Sequence, residues 1–209
     1  MVGNDVVDLS LEGARHKSQN ERFLQRVYTG DERLLIQKGQ NPDFVLWALW
    51  AAKEAGFKYF QKLSPNVIFS PQQFSVCGNP ETSHSGVLTF GSHSVRISWD
   101  HDAAWDHDAA WVHALATDPA STFQGLYRVE RFVQEKEQQL VHAEAAAVRR
   151  LAQQLLYELG GWQSLSIVRP RRMDGQLSWP IILKGSEQLP IDLSLSHDGE
   201  YTAAAVCFL

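Results

Sequence analysis

The sequence predicts an α+β fold of two similar subdomains, residues 1–115 and 120–209, each an antiparallel sheet packed with one long helix and related by pseudo-twofold symmetry. Three observations carry that prediction. Two long stretches, 44–63 and 141–159, have helical spacing of apolar residues. Strand-like runs broken by turn residues follow each of them. The last hairpin of each half aligns with the other: ISWDHDAAW begins at Ile97 and LSLSHDGEY at Leu193, an offset of 96. That offset sets Ser98 against Ser194, His101 against His197, Asp102 against Asp198 and Trp105 against Tyr201, and it carries Lys53 to Arg149.

In chain order, 2–9 (VGNDVVDL) is short and β-branched and reads as a first strand. Its Gly3, Asp5, Val7 and Leu9 share one face at period two, so Asp5 sits among apolar neighbours. Residues 20–36 have helical spacing with a turn near Thr29-Gly30-Asp31. Asn41-Pro42-Asp43 supplies start signals for helix 44–63, which stops before Ser64-Pro65. The stretch 67–98 is strand-like, with turns at Ser70-Pro71, 77–80 and Gly91, and 99–116 contains DHDAAWDHDAAW, one hexapeptide written twice. The second helix, 141–159, stops at Gly160-Gly161. Strand-like SLSIV (164–168), WPIIL (179–183) and IDLSL (191–195) follow, then a turn and a final apolar strand.

Composition narrows the function. The 209 residues are 44% hydrophobic, which is ordinary for a globular chain, and the net charge of -5 disfavours nucleic acid as the main partner. Two cysteines, Cys77 and Cys207, make neither a disulfide framework nor a cysteine metal site. No basic segment leads into a long apolar run at the N-terminus, and the longest apolar stretch, VLWALWAA, is too short to cross a bilayer. A cytoplasmic protein without a membrane partner is expected.

Chemistry concentrates in LWALWAAKEAGFK. At the helical period Trp47, Trp50, Ala51, Glu54 and Lys58 lie on one side, so a Glu and a Lys extend a Trp/Ala stripe. The bland reading is an i,i+4 surface pair. The alternative is that these charges, like Asp5, have buried partners, because an unpaired buried charge is costly. A metal held by Asp5 and Glu54 answers both positions, and two carboxylates without His or Cys suit Mg²⁺.

Four blocks resemble the 4'-phosphopantetheinyl transferase superfamily. GNDVVDL (3–9) is similar to its G-x-D strand, ERFLQRVYTGDE (21–32) to its RF-x-x-R segment, LWAAKEAGFK (49–58) to its W-x-x-K-E-A-x-x-K helix, and LSLSHDGEYTAAAV (193–206) to its S-x-S-H-D hairpin. The resemblance implies Mg²⁺-dependent transfer of the 4'-phosphopantetheine arm from coenzyme A to a serine of an acyl or peptidyl carrier protein, releasing 3',5'-ADP. It implies Asp5 and Glu54 as metal ligands, Glu54 and Lys58 as catalytic groups, Lys58 and Lys53 on the coenzyme, and Ser196 with His197 at the 3'-phosphate end. Glu54, Asp8 or a metal-bound water is left as the base. Larger family members add an acid two residues after the G-x-D aspartate, and here that residue is Val7.

The block order resembles that of the small trimeric synthases, whereas the length resembles the monomeric pseudo-dimers. One composite site per chain follows, with Asp5, Glu54 and Lys58 from the first copy and Ser196-His197 from the second. A monomer is expected. Arg149 and Arg150 stand near the places of Lys53 and Glu54 in the second copy, and Asp100 replaces the serine in the first.

Other features carry two readings. Arg15, His16, Lys17, Arg22 and Arg26 form a basic segment, either a solvated face or a dock for an acidic carrier or coenzyme A phosphates. Arg169, Arg171 and Arg172 take the same two readings. His84, His93 and His142 read as surface residues. The doubled hexapeptide reads as a tandem slip at a hairpin tip, with Trp105 and Trp111 competing for the place of Tyr201, against an independent Asp/His metal site. The other alternative for the whole chain is a non-catalytic module that binds coenzyme A or a carrier.

Overall fold

A computed structural model describes residues 1–102, 110–120, 123–132, 140–172, 175 and 177–209. The first strand, β1 (Val2–Asp8), is buried along its whole length. The helical stretch after it divides at Thr29. Helix α1 (Glu21–Val27) starts on Asn20, whose side chain accepts from the Phe23 N–H, and α2 (Gly30–Lys38) starts on a reciprocal Thr29–Glu32 capping box. Helix α3 (Pro42–Leu63) starts on Asn41 with a proline in its first turn, and it closes at Ser64 because Pro65 disfavours a helical residue before it. Then come β2 (Phe74–Cys77), β3 (Ser85–Phe90), β4 (His93–His101), β5 (Trp111–Thr117) and β6 (Gly125–Arg131). Helix α4 (Leu140–Gly160) is followed by β7 (Ser166–Val168), β8 (Ile181–Lys184), β9 (Glu187–Gln188), β10 (Ile191–Asp198) and β11 (Tyr201–Phe208).

The architecture is α+β with antiparallel sheets. One sheet has the order β1-β5-β4-β3-β2, a second β10-β11-β6, and a small third β7-β8-β9. Helix α3 packs on β1 and β5 over one core, and α4 packs on β11, β10 and β6 over another. Two small apolar clusters, Val2 with Leu115, Ala205 and Cys207, and Val6 with Tyr201 and Ala203, join the halves. Strand β6 departs from the sequence expectation, which left 125–131 without a strand. Its residues, GLYRVER, place a charge on each face, and its burial is only partial. No helix among the described residues is long and apolar enough to cross a membrane.

The halves meet along β1 and β10 without a backbone ladder. Alternate N–H groups of β1 donate to alternate side chains of β10: Val2 to Asp192 Oδ2 (2.6 Å), Asn4 to Ser194 Oγ (2.9 Å), Val6 to Ser196 Oγ (3.3 Å) and Asp8 to Asp198 Oδ2 (2.8 Å). The intervening N–H groups face β5, so period two on both strands matches every donor with an acceptor. Lys62 closes the seam, its ammonium donating to Asp192 Oδ1 at 2.8 Å and to the Val2 and Leu193 carbonyls. Burial pushes its pKa down and Asp192 opposes that shift. Two glycines permit the close approaches. A Cβ on Gly3 would stand 2.1 Å from the Ala55 carbonyl oxygen of α3, and Gly199, at φ 53°, turns the β10–β11 hairpin where a Cβ would meet Asp8.

Strand register refines the internal alignment. Ile97 and Leu193 are 96 apart, but their partners Ala116 and Val206 are 90 apart. The β4–β5 connection is thus longer by one hexapeptide. Trp111, 90 before Tyr201, takes the matching position, and its ring lies 6.3 Å from that of Tyr201. Trp105, and with it 103–109 of the doubled hexapeptide, lies outside the described residues.

Candidate active site

The G-x-D aspartate and the K-E-A helix meet because β1 crosses α3 at Gly3. Two residues further along β1, Asp5 Oδ1 accepts from Lys58 Nζ at 2.8 Å, and Lys58 also donates to the Asn4 carbonyl at 2.9 Å. From the far end of the chain, Ser196 Oγ donates to the same Asp5 Oδ1 at 2.7 Å. Asp5, Glu54, His197 and Asp198 line a cleft of about 630 Å³, walled by Phe23, Trp47 and Trp50. Residues 191 positions apart in sequence are therefore in contact at Asp5.

Glu54 accepts no hydrogen bond among the described residues. Burial and the nearby Asp5 carboxylate push its pKa up to about 7, with Lys58 opposing. Two carboxylates thus share one corner with a single ammonium between them. A divalent cation there would reverse the rise at Glu54, and Asp5 Oδ2 carries no hydrogen bond among the described residues. The donor set fits Mg²⁺, which binds through one or two carboxylates and keeps waters or substrate phosphates. Val7, on the same face of β1 as Asp5, is buried in the core, and no group of three His, Cys, Asp or Glu side chains among the described residues is placed to hold a metal ion.

His197 projects from β10 into the cleft, half-exposed, with Nδ1 3.2 Å from Glu144 Oε2 of α4. A carboxylate at Nδ1 fixes the imidazole orientation and leaves Nε2 for a ligand. Glu144 is a residue that sequence reasoning missed, since nothing local to α4 marks it. Lys17 also lines the cleft, with its ammonium 4.6 Å from the Phe23 ring centroid. Trp47 Nε1 donates to the Ala14 carbonyl and so holds the loop that carries Lys17.

Two expected residues stand elsewhere. Lys53 does not line the cleft. Its side chain is 0% exposed and its ammonium is 2.8 Å from Glu32 Oε1, with the Pro71 and Phe74 carbonyls as further acceptors. Burial pushes its pKa down, and Glu32 opposes that shift. One residue away from Glu54 on a helix is a different face, and Lys53 ties α2 to α3. Asp8 is a poor base because both its oxygens are engaged: Oδ1 accepts from the Ser10 N–H and hydroxyl, and Oδ2 from the Glu200 N–H.

The basic segment splits between two neighbouring grooves. Lys17, Arg22 and Arg26 line one that continues the cleft through Phe23 and Trp50, and Arg15 and His16 line another beside Trp47. Arg169, Arg171 and Arg172 donate to carbonyls of Ser178, Gly175 and Pro65, which is a structural use. His84 and His93 are exposed, and the His142 side chain lies outside the description. His84 stacks near His101, with ring centroids 5.8 Å apart.

Known proteins are similar to this chain over part of its length. A holo-acyl-carrier-protein synthase of Protochlamydia amoebophila (strain UWE25) is 30% identical over 105 residues, covering 48% of this chain and 86% of that protein. The crystal structure of the Helicobacter pylori holo-acyl-carrier-protein synthase in complex with coenzyme A superposes with TM-score 0.38 at 20% identity, over 56% of this chain and 97% of that one. The Thermotoga maritima synthase gives 0.39 at 18% identity, over 86% and 83%. The family model of the 4'-phosphopantetheinyl transferase superfamily matches residues 1–116, the stretch that supplies Asp5, Glu54 and Lys58. With that match over more than half its length, the chain belongs to the 4'-phosphopantetheinyl transferase superfamily.

Proposed function

We propose that this protein transfers 4'-phosphopantetheine from coenzyme A to a serine of an acyl or peptidyl carrier protein and releases 3',5'-ADP. The supporting observation is the convergence of Asp5, Glu54 and His197 on one aromatic-walled cleft, with Lys58 paired to Asp5. In this reaction the serine oxygen bonds to the phosphorus that carries pantetheine, and the bond from that phosphorus to the bridging oxygen breaks. Glu54, which lines the cleft and holds no hydrogen bond among the described residues, is placed to receive the serine proton. Lys58 has spent two of its three donors, on Asn4 and Asp5, and the third steadies the pyrophosphate and the departing 3',5'-ADP. His197, braced by Glu144, takes the 3'-phosphate end. Mg²⁺ on Asp5 and Glu54 would neutralise pyrophosphate charge as the bond breaks.

In this reading residues 1–115 and 120–209 are two subdomains that complete one site, so a cytoplasmic monomer suffices. The Lys17, Arg22 and Arg26 groove is where an acidic carrier docks. The test is to incubate the protein with coenzyme A, Mg²⁺ and a panel of apo carrier proteins, then weigh the carriers. A mass gain of one phosphopantetheine on a carrier is expected. Coenzyme A binding without any gain across the panel overturns the transferase reading in favour of a binding module.

A further inference from the structure

The resemblance places Ser196 with His197 on the 3'-phosphate, but the hydroxyl of Ser196 is engaged elsewhere. A serine hydroxyl has one proton and two lone pairs. Asp5 Oδ1, 2.7 Å away, is an acceptor when the carboxyl is ionised, so the proton points to it. The Val6 N–H, 3.3 Å away, can only donate, so it takes a lone pair. The partners fix both directions, and Ser196 is buried. A phosphate oxygen needs a donor, and the Ser196 hydroxyl has none left.

Its neighbours in the row show what is special about it. Asp192, Ser194 and Asp198 also accept from β1 N–H groups. Among the described residues, Ser196 is the member of the row that also bonds the Asp5 carboxylate. Together with Lys58 it occupies Oδ1, which leaves Oδ2 as the oxygen available to a cation. We infer that Ser196 is a positioning residue for Asp5 as a metal ligand, and that His197 alone of the pair recognises the 3'-phosphate. This inference rests on the transferase reading and assigns a different task to one of its residues.

The test separates phosphate recognition from metal binding without using turnover. Coenzyme A and 3'-dephospho-coenzyme A are titrated calorimetrically in EDTA. Mn²⁺ is titrated by electron paramagnetic resonance with coenzyme A present and no carrier. Ser196→Ala is expected to weaken Mn²⁺ by about 10-fold or more, the range for loss of a hydrogen bond to a ligating side chain. Its preference for coenzyme A over the dephospho form should equal that of the wild type. Ser196→Thr, which keeps the hydroxyl, should restore Mn²⁺ affinity, and His197→Ala should reduce the preference while keeping Mn²⁺. Ser196→Cys, similar in size and a weak donor, should give the same split as Ser196→Ala and serves if the alanine variant fails to fold. Loss of the preference with unchanged Mn²⁺ affinity in the Ser196 variants overturns the assignment. Failure of the wild type to bind coenzyme A sinks the transferase reading instead.

Discussion

Asp5 and Arg128 stand at matching places in the two halves: each lies opposite an alanine of the neighbouring strand, Ala114 and Ala204, which are 90 apart as the rest of that register is. Each is ion-paired to the long helix of its half, Asp5 to Lys58 and Arg128 to Glu158, both at 2.8 Å. The signs are exchanged. Anchored on these pairs, the helices align at an offset of 100, one turn from the sequence alignment, so Gln153 and Gln154 rather than Arg149 and Arg150 match Lys53 and Glu54. The first pair is 11% and 27% exposed and has Glu54 one turn away, whereas the second is 38% and 43% exposed and has the amide Gln154 there. The strand opposite Asp5 offers the Ser196 hydroxyl, and its counterpart 96 residues earlier is the carboxylate Asp100. The first corner thus sets two carboxylates against one ammonium, and the second is a solvated ion pair. Side-chain chemistry, not strand geometry, is what differs between the two corners.

The largest effect that sharpens this contrast lies in the seam beside the first corner. Asp192→Ala leaves the Lys62 ammonium, 3% exposed, without its counter-charge, and should cost about 3–5 kcal/mol in urea unfolding. Next, Asp5→Asn and Glu54→Gln should each lower carrier modification by about 100-fold or more, on the scale of losing one catalytic electrostatic contact. Full activity in Glu54→Gln would show that the two corners do not differ in the way proposed.

Acid titration separates the halves as well. His113, fully buried beside Asn4, holds the place on β5 that Ala203 holds on β11, and burial holds its pKa down to about 3. A depressed histidine contributes stability that is present above its unfolded pKa near 6.5 and lost as pH falls toward 3. Urea unfolding should therefore lose about 3 kcal/mol between pH 7 and pH 4 on account of this residue alone, and His113→Leu should flatten that slope. The smallest effect is expected at the second corner. Arg128→Ala should change stability by about 0–1 kcal/mol and leave carrier modification within about twofold, as for an exposed ion pair.

Much of this was legible in the sequence because it is local. Glu54 and Lys58 fall one helical turn apart, Asp5 shares a strand face with Gly3, and Ser196-His197 sits in a short motif, so the residues that converge carry their own signals. What escaped depends on distant partners. Lys53 looks like a coenzyme ligand until Glu32, 21 residues earlier, is seen beneath it. Glu144 has no marker on α4, and β6 has charged residues on both faces, so neither period nor propensity distinguishes it. The alternation of Asp192, Ser194, Ser196 and Asp198 is visible in the chain, but nothing there tells that its partner is β1.

That alternation makes the joint between the halves selective for its own alignment. A backbone ladder accepts nearly any sequence and slides readily, whereas this joint works in one frame. Slip β10 by one residue and Leu193, Leu195 and His197 face the N–H groups of Asn4, Val6 and Asp8, while the polar row turns away. Each buried donor left without an acceptor costs about 1–3 kcal/mol, so the slipped frame is strongly disfavoured. The same row covers the edge of β1 that β5 leaves unpaired, so that edge is not open to foreign strands. The side chains of β10 therefore set the frame in which β1 seats, and Asp5, one residue from two of these contacts, takes its position from that frame.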